Sequence, residues 1–330
     1  MARYLISGVA GFIAARVAEM LLADGHSVIG VDELNGSYDV RLKEWRLVQL
    51  QAHPAFSFCR VDICDRSSLL RVFRSASETR TPPFDAAINL AARVGVRQSV
   101  TNPWIYLATN VNGALNVLEL CRGFDVQKFV LASTSSLYGA HNPRPFREDA
   151  DTDRPCSPYA ASKKAAEALC HSYHELYGID VTVLRYFTVY GPAGRPDMAP
   201  FRFVQWISEG RPLTLYGDGS QERDFTYVDD IARGTIAALR PAGYEVINLG
   251  SDRPLRLADF ITLIETAVGR CATIQRRPSH PADVPATWAN IERARQHLGW
   301  DPQTPVEEGV QQLVRWYQQN RHWAKDVSTR

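Results

Sequence analysis

Short apolar runs alternate with stretches of helical periodicity through the first half of the chain. Residues 4–6 are an apolar run that ends at Gly8, and Ile13, Val17 and Leu21 then recur every four residues. The short run predicts a buried strand, and the four-residue recurrence predicts an amphipathic helix. The same patterns predict further strands and one long helix, at residues 27–31, 56–61, 86–90 and 128–132 and at residues 103–122, respectively.

Helix-start signals organise the second half of the chain. Ser157 followed by Pro158 predicts a helix start with the serine as N-cap. Thr304 followed by Pro305 predicts the start of the last helix in the same way. Between these two starts the pattern predicts a strand at residues 181–184, an irregular region from about residue 190 and a helix at residues 257–268.

Alternating strands and helices of this kind indicate a parallel sheet with helices on both faces. We therefore predict an α/β fold with a Rossmann-type doubly wound parallel sheet and a smaller mixed α/β substrate domain at the C-terminal end. The sheet domain is expected at residues 1–180 and the smaller domain at 181–330. We expect the chain to return to the first domain at about residues 226–248.

The composition fits this fold and excludes several classes of function. The 330 residues are 45% hydrophobic, and 37 Lys and Arg balance 36 Asp and Glu, so neither nucleic acid nor a basic partner is expected. The six cysteines contain no Cys-x-x-Cys pair, which predicts no metal site and a reducing, cytoplasmic location. No apolar run approaches the roughly 18 residues of a membrane span, and we see no signal peptide.

A glycine-rich turn lies between the first predicted strand and the first predicted helix. Gly8, Gly11 and Ala14 give the spacing Gly-x-x-Gly-x-x-Ala, and such glycines let the backbone approach a pyrophosphate at a helix N-terminus. The turn alone also suits a plain strand–helix junction. Asp32, however, closes the second predicted strand and is followed by Glu33. A carboxylate there accepts the ribose hydroxyls of NAD and repels the 2′-phosphate of NADP, so we predict an NAD site.

Tyr159 and Lys163 are four residues apart on one predicted helix. Side chains at i and i+4 share a helix face, so we expect the ammonium group to lower the pKa of the phenol from its ordinary value of about 10. Such a tyrosine can remove a hydroxyl proton near neutral pH. A run of hydroxyl residues from Ser133 to Ser136 follows the strand predicted at 128–132, where side chains point into the cofactor crevice.

Together these motifs resemble the extended short-chain dehydrogenase/reductases, in particular the NAD-dependent epimerase/dehydratase family. The resemblance extends from Gly8 to about Trp300 and includes two specific segments, residues 185–192 and 223–231. It implies tightly held NAD and a catalytic set of Thr134, Tyr159 and Lys163. It also implies that the following residues bind the cofactor: Gly8, Gly11, Phe12, Ile13, Asp32, Asn35, Asp62, Ile63, Leu90, Ala91, Ala92, Arg93, Asn110, Tyr159, Lys163 and Phe187.

The two residues after Thr134 narrow the reaction within the family. The dehydratases of the family have Asp-Glu at this place, which supplies an acid and a base, and the decarboxylases that act on UDP-glucuronate have a Glu where this chain has Ser136. Ser135 and Ser136 provide neither carboxylate. The resemblance therefore implies an isomerase that removes a hydride at C4 of a nucleotide sugar and returns it to the opposite face.

Residues 194–199, Gly-Arg-Pro-Asp-Met-Ala, resemble a segment of the UDP-glucuronate 4-epimerases within this family. Arginine binds a carboxylate through two parallel hydrogen bonds, so Arg195 is the candidate for holding the sugar carboxylate. The alternative is that Arg195 only pairs with Asp197. The resemblance implies conversion of UDP-glucuronate to UDP-galacturonate, with further substrate contacts from Arg97, Ser135, Ser136, Thr188, Tyr216, Arg223 and Asp283.

Two other functions stay open at this point. One is 4-epimerisation of neutral UDP-hexoses, and the other is an NAD-binding scaffold without turnover, which the complete catalytic set disfavours. The resemblance also implies a homodimer, in which the helices at residues 103–122 and 157–177 pack against their copies in a four-helix bundle. The expected partners are thus a UDP-sugar substrate and a second copy, with no nucleic acid and no membrane.

Overall fold

The computed structural model describes residues 1–278 and 284–329, and most of its strands lie in one sheet. In chain order the strands are β1 (Arg3–Ser7), β2 (Ser27–Asp32), β3 (Phe56–Arg60), β4 (Ala86–Asn89), β5 (Lys128–Thr134), β6 (Asp180–Tyr186), β7 (Thr188–Tyr190), β8 (Leu213–Tyr216), β9 (Glu222–Tyr227), β10 (Tyr244–Leu249), β11 (Pro254–Arg256) and β12 (Ile274–Arg277). Across the described residues, seven strands form the main sheet in the order β10-β6-β5-β4-β1-β2-β3, with each adjacent pair parallel.

Helices cover both faces of the main sheet. They are α1 (Phe12–Ala23), α2 (Arg41–Gln51), α3 (Arg66–Ser77), α4 (Val96–Thr101), α5 (Trp104–Tyr106), α6 (Ala114–Gly123), α7 (Pro158–Tyr177), α8 (Ala199–Ser208), α9 (Val228–Ala237), α10 (Leu257–Val268) and α11 (Val306–Ala324). Two segments are π-helical, Leu107–Gly113 and Ala294–Leu298, and a 3-10 turn spans Ser135–Tyr138. In the described part of the chain, no helix has the length and apolar character needed to cross a membrane.

Neighbouring residues of β1 pack into different cores. Ile6 belongs to the core that contains α1, and Leu5 belongs to the core that contains α3, α6 and α7. A parallel sheet that is buried on both faces needs apolar residues at successive positions rather than at alternate ones. The predicted fold class, a doubly wound Rossmann-type sheet, is confirmed.

The strand order of the main sheet reverses between β1 and β4. In open parallel sheets the loops on either side of such a reversal diverge, and they leave a crevice at the carboxyl ends of the strands. The turn after β1, the end of β2 and the loop after β4 all meet at this crevice, so the topology alone fixes where a cofactor can lie.

A third apolar core lies beyond the main sheet, between α8, α10, α11 and the strands β7 and β9. The strands here form a three-stranded sheet, β11-β9-β7, and a two-stranded sheet, β12-β8, among the residues described. The rings of Phe225 and Phe260 stack with their centroids 4.0 Å apart at the centre of this core. We propose that this smaller unit is the substrate domain. Two strands within residues 181–330, β6 and β10, belong to the main sheet and not to this unit.

One predicted helix start is confirmed and the other is one residue too early. Ser157 accepts a hydrogen bond from the Ala160 backbone N–H at 3.1 Å, as an N-cap does. The last helix, α11, begins at Val306, so Pro305 and not Thr304 takes the cap position. The physical reason lies in the preceding chain: the backbone N–H of Thr304 donates to Asp230 at 3.1 Å, and this bond holds the segment extended.

The long helix predicted at residues 103–122 is present but not uniform. It runs from Trp104 to Gly123 through α5, the π-helical segment and α6. The π-helical segment contains Asn110, whose side chain accepts from the Arg93 N–H at 2.8 Å and donates to the Ser162 hydroxyl at 2.9 Å. Widened turns of this kind are frequent at functional sites.

Candidate active site

A cavity of about 800 Å³ opens at the carboxyl ends of the strands where the order of the main sheet reverses. It continues onto β7, α8 and β9 of the smaller unit. Most of the residues predicted from the sequence line it: Gly8, Gly11, Phe12, Ile13, Asp32, Asn35, Asp62, Ile63, Leu90, Ala91, Ala92, Arg97, Thr134, Ser135, Ser136, Tyr159, Lys163, Phe187, Thr188, Arg195, Tyr216 and Arg223.

Two predicted residues are placed differently, and a third cannot be compared. Arg93 and Asn110 are not part of the cavity wall, and they support it instead through the hydrogen bonds between the Arg93 backbone and the Asn110 side chain. Asp283, predicted to contact the ribose of UDP, lies outside the described residues.

The glycine-rich turn leaves no space for side chains at its two glycines. Gly8 has φ +70°, and a Cβ there would lie 2.7 Å from the Cα of Ala91. A Cβ on Gly11 would lie 2.8 Å from the carbonyl oxygen of Gly8. Since α1 begins at Phe12, the backbone N–H groups at its start face the cavity without a covering side chain, which is the geometry that binds a pyrophosphate.

Asp32 is the last residue of β2, and its carboxylate is fixed by two backbone donors. The N–H of Ala10 donates to Oδ2 at 3.1 Å, and the N–H of Leu34 donates to Oδ1 at 2.8 Å. The next residue, Glu33, forms an ion pair with Arg93 at 3.0 Å. A carboxylate held in this way at the end of β2 suits ribose hydroxyls and opposes a phosphate.

The three residues of the predicted catalytic set meet at one point of the cavity wall. Thr134 ends β5, while Tyr159 and Lys163 lie on the first turns of α7, and all three are buried. The Thr134 hydroxyl is hydrogen-bonded to the Tyr159 phenol. The Lys163 ammonium donates to the carbonyl oxygen of Ala132 at 2.7 Å, so β5 fixes both the hydroxyl and the amine.

The electrostatics of this set differ from the sequence expectation. Burial raises the pKa of Tyr159, and the hydrogen bond from Thr134 and the positive charge of Arg195 offset this only in part. Arg195 was not predicted to contribute to the pKa of the phenol, and the effect of Lys163 stays a prediction. Burial also lowers the pKa of Lys163 to about 8, against the opposing effect of Glu167.

Glu167 was not predicted from the sequence, although it continues the same helix face. It follows Lys163 by four residues and is buried. Its carboxylate accepts from the Arg185 guanidinium at 3.0 and 2.8 Å and from the Ser133 hydroxyl. These bonds join α7, β6 and the end of β5, and thereby hold Thr134 beside Tyr159. The i+4 spacing after Lys163 was the available signal.

Arg195 and Asp197 both line the cavity and pair with each other. The guanidinium donates to the carboxylate at 3.1 and 2.5 Å. This pairing was the alternative interpretation of the sequence, and the structure shows it. Because Arg195 also acts electrostatically on Tyr159, the pair lies close to where the reacting hydroxyl must sit. A uronate carboxylate there would share the guanidinium with Asp197.

Guanidinium groups also line the part of the cavity nearest the smaller unit. Arg97 lies over the ring of Tyr216, 4.6 Å from its centroid, and Arg223 donates to the carbonyl oxygen of Glu222 at 2.7 Å. Arg202, which was not predicted from the sequence, lines the same wall, and its Nε is buried without a hydrogen-bond partner. Guanidinium groups in this arrangement suit the pyrophosphate of a nucleotide sugar.

The fold, the nucleotide turn and the Tyr-Lys-Thr set agree with the comparison to known families. The chain belongs to the NAD dependent epimerase/dehydratase family, which it matches over residues 4–250.

The chain is also similar to individual proteins over nearly its whole length. The chain is 50% identical over 328 residues to the UDP-glucuronate 4-epimerase of Thermodesulfobacterium geofontis, covering 99% of each chain. It is 41% identical over 338 residues to the probable UDP-glucuronate 4-epimerase of Rhizobium meliloti, covering 96% of this chain and 97% of that one. Its structure is similar to the crystal structure of UDP-glucuronic acid 4-epimerase from Bacillus cereus in complex with UDP-glucuronic acid and NAD, with a TM-score of 0.88, 36% identity and coverage of 96% and 99%.

Proposed function

We propose that the protein is an NAD-dependent UDP-glucuronate 4-epimerase that interconverts UDP-glucuronate and UDP-galacturonate through a 4-keto intermediate. The observation that carries this proposal is the meeting of Thr134, Tyr159 and Arg195 at one end of the cavity. A proton acceptor and a carboxylate binder then lie within one sugar ring of each other. The relatives named above act on the same uronate.

The glycine turn fits the cofactor, because only glycines allow this tight turn, where a Cβ on Gly8 would clash with Ala91 and one on Gly11 with the Gly8 carbonyl oxygen. The turn thereby brings the start of α1 to the cavity. Gly8, Gly11 and Asp32 would hold NAD. NAD held there would supply a hydride acceptor for C4 and, in its oxidised form, a positive charge. Tyr159 takes the proton of the C4 hydroxyl, and Thr134, bonded to the phenol, steadies or relays it. The sugar then turns about its pyrophosphate linkage and presents its other face.

The residues after Thr134 support epimerisation over elimination or loss of CO2. Ser135 and Ser136 line the cavity as hydroxyl groups, and neither is an acid or base at neutral pH. Elimination needs a group to protonate the leaving hydroxyl and another to remove the C5 proton, and these two positions supply neither. They suit instead hydrogen bonds to a carboxylate or to hydroxyls of the sugar.

A direct test compares two substrates that differ only in the carboxylate. The NAD-loaded protein is incubated separately with UDP-glucuronate and with UDP-glucose, and the nucleotide sugars are separated by chromatography. We expect UDP-galacturonate from the first incubation at a far higher rate than UDP-galactose from the second. Efficient conversion of UDP-glucose alone would overturn the proposal in favour of a neutral-sugar epimerase. No conversion of either would favour a scaffold without turnover.

We further propose a homodimer, because an apolar face is left exposed on α4, α5 and α7. Val100, Trp104 and Leu107 are exposed near the start of the π-helical segment, and Leu176 and Tyr177 are exposed at the end of α7. Large apolar groups that are exposed at both ends of one pair of adjacent helices suit an interface better than a solvated surface. A cytoplasmic location is also proposed, in keeping with the free thiols of the six cysteines.

A further inference from the structure

A buried arginine on α2, Arg46, joins the two halves of the cavity. Its side chain is 2% exposed. One edge of the guanidinium faces the cofactor turn, where Nη1 donates to the carbonyl oxygen of Ala10 at 2.9 Å. The other edge faces the loop before Arg195, where Nε and Nη2 donate to the carbonyl oxygen of Ala193 at 3.0 and 2.6 Å.

Two further bonds complete this arrangement. Nη1 donates to the hydroxyl of Tyr38 at 2.9 Å, and Nη2 reaches the carbonyl oxygen of Gly194 at 3.5 Å. A guanidinium has five N–H donors in a planar fork, and the five bonds of Arg46 use that whole set. Within the described residues Arg46 forms no ion pair, so its charge is satisfied by backbone carbonyls and a phenol hydroxyl, with Phe12 and Tyr38 flanking it.

The loop that Arg46 grips needs such a support. Ala193 has φ +51°, in the left-handed region that residues with a Cβ rarely occupy. Such a conformation persists only where the surroundings hold it. The next residues are Gly194 and Arg195, so the conformation of Ala193 decides the direction in which Arg195 leaves the loop.

We propose that Arg46 is a positioning residue, which fixes the loop before Arg195 to the cofactor turn and so keeps Arg195 in register with Tyr159 while the sugar turns. Arg46 itself is not in the cavity wall. Its effect on the reaction rests on the proposed function, since a gripped carboxylate matters only if the substrate is a uronate. Its effect on the conformation of the loop does not depend on the proposed function.

The consequence for the reaction concerns a competing loss of CO2. Removal of the C4 hydride makes a β-keto acid. If the carboxylate is free to align with the carbonyl π system, the C5–C6 bond breaks, CO2 leaves and the electron pair passes into the enolate of the 4-keto group. A proton at C5 then gives a UDP-4-keto-pentose, and the hydride stays on the reduced nicotinamide. A loosened Arg195 should therefore shift the products towards the pentose.

The first measurement follows the loop directly. Hydrogen–deuterium exchange of the backbone amides of residues 191–198 is compared in NAD-loaded wild type, Arg46→Met and Arg46→Lys. We expect at least about tenfold faster exchange in this loop in both variants, because neither replacement spans the turn and the loop with a planar fork. Wild-type exchange rates in both variants would overturn the proposal. The lysine variant keeps a charge and a long stem, so it serves if the methionine variant does not fold.

The control variant is Arg16→Met, and the second measurement is the product ratio. Arg16 lies on α1 and pairs with Asp229 at 2.8 Å, but it bonds neither the turn nor the loop. With UDP-glucuronate, the ratio of UDP-4-keto-pentose to UDP-galacturonate should rise about ten- to a hundredfold in the Arg46 variants and stay unchanged in the control. An equal rise in the control would reduce Arg46 to general stability. If the wild type epimerises no uronate, the proposed function fails, while the exchange data still decide whether Arg46 anchors the loop.

Discussion

Burial shifts the pKa values of Tyr159 and Lys163 more than any neighbouring charged group does. In the cofactor-free protein, burial favours the neutral phenol of Tyr159 and the neutral amine of Lys163. Both effects oppose the charged forms that proton removal requires. We therefore expect Tyr159 to act as a base only when a further positive charge, such as that of oxidised NAD, offsets the effect of burial.

Replacement of Tyr159 by Phe tests the assignment of the base. The change removes one hydroxyl and keeps the ring, so the variant should fold and bind NAD but lose roughly a hundred- to ten-thousandfold in turnover. Steady-state kinetics and cofactor content measure the two effects. Tyr173→Phe is the matched control, because Tyr173 lies on the same helix and bonds Glu119 away from the cavity. Near-wild-type turnover of the Tyr159 variant would mean that another group takes the proton.

The lowered pKa of Lys163 predicts a pH dependence of stability. Burial moves this pKa from the ordinary lysine value of 10.5 to about 8 in the folded protein. Between these two values the unfolded chain holds the extra proton, so the free energy of unfolding rises with pH through this window. Below the window the full penalty of burying the ammonium applies. Urea unfolding of cofactor-free wild type and Lys163→Met at about pH 7.5 and about pH 9.5 measures the difference. An identical pH dependence in both proteins would contradict it.

Arg195→Ala tests the candidate for holding the carboxylate. A charge-assisted hydrogen bond is worth roughly 1.5–3 kcal/mol, so the variant should lose about ten- to a hundredfold in preference for UDP-glucuronate over UDP-glucose. The Michaelis constant for the uronate should rise, and UDP-4-keto-pentose should leak from the site. Kinetics with mass spectrometry of the products measure both, with Arg211→Ala, an exposed arginine outside the cavity, as control. Wild-type kinetics without pentose would sink the assignment and strengthen the neutral-sugar alternative.

The ends of helices and strands could be predicted where a local sequence signal sets them. They could not be predicted where a contact with a residue far along the chain sets them. The predicted strand at 128–132 extends to Thr134, because the ladder with β6 continues through Ser133 and Thr134. The start of α11 depends on Asp230, and the π turn depends on the bonds of Asn110. The role of Arg46 could likewise not be predicted from the sequence, since its hydrogen-bond acceptors are backbone carbonyl oxygens far from it along the chain.

The end of β2 sets the choice between the two nicotinamide cofactors. A carboxylate at the end of β2 is expected to face the ribose of the cofactor, and like charges about 4 Å apart at an effective dielectric of about 20 repel by roughly 4 kcal/mol before screening by salt. We expect NAD to co-purify and to bind at least about tenfold more tightly than NADP. Calorimetry on stripped protein measures both affinities, and Asp32→Asn should narrow the gap. Equal or tighter binding of NADP to the wild type would contradict this.

At the scale of the whole molecule, the candidate active site lies between the main sheet and the smaller unit. The main sheet and its helices carry Thr134, Tyr159 and the glycine turn, and the smaller unit carries arginines of the far wall. The order of apolar runs predicts the main sheet and the place of the glycine turn and of Tyr159, whereas Thr134 was singled out by the family resemblance. The far wall is assembled by irregular segments, and there the prediction relied on resemblance and missed Arg202.

The exposed apolar residues of two neighbouring helices indicate how two copies of the chain would assemble. The stretch from Trp104 to Gly123 runs beside α7 in the same direction, since Asn110 bonds Ser162 and, further along, Glu119 bonds Tyr173. Trp104, which is 78% exposed, therefore lies at one end of this helix pair, and Leu176, which is 69% exposed, lies at the other. In the proposed dimer, a twofold axis across the pair would bring the Trp104 end of one copy onto the Leu176 end of the second and would cover both apolar groups.

Charge placed on this face should separate the two copies. We expect twice the chain mass for the wild type at micromolar concentration by sedimentation velocity, and the single-chain mass for Trp104→Glu and Leu176→Glu, because each dimer would bury two unpaired carboxylates in its interface. Val48→Glu is the matched control, since Val48 is an equally apolar, 61% exposed residue on α2, away from this face. It should leave the mass unchanged. A wild-type monomer, or dimers that persist in both variants, would show that these helices do not form the interface.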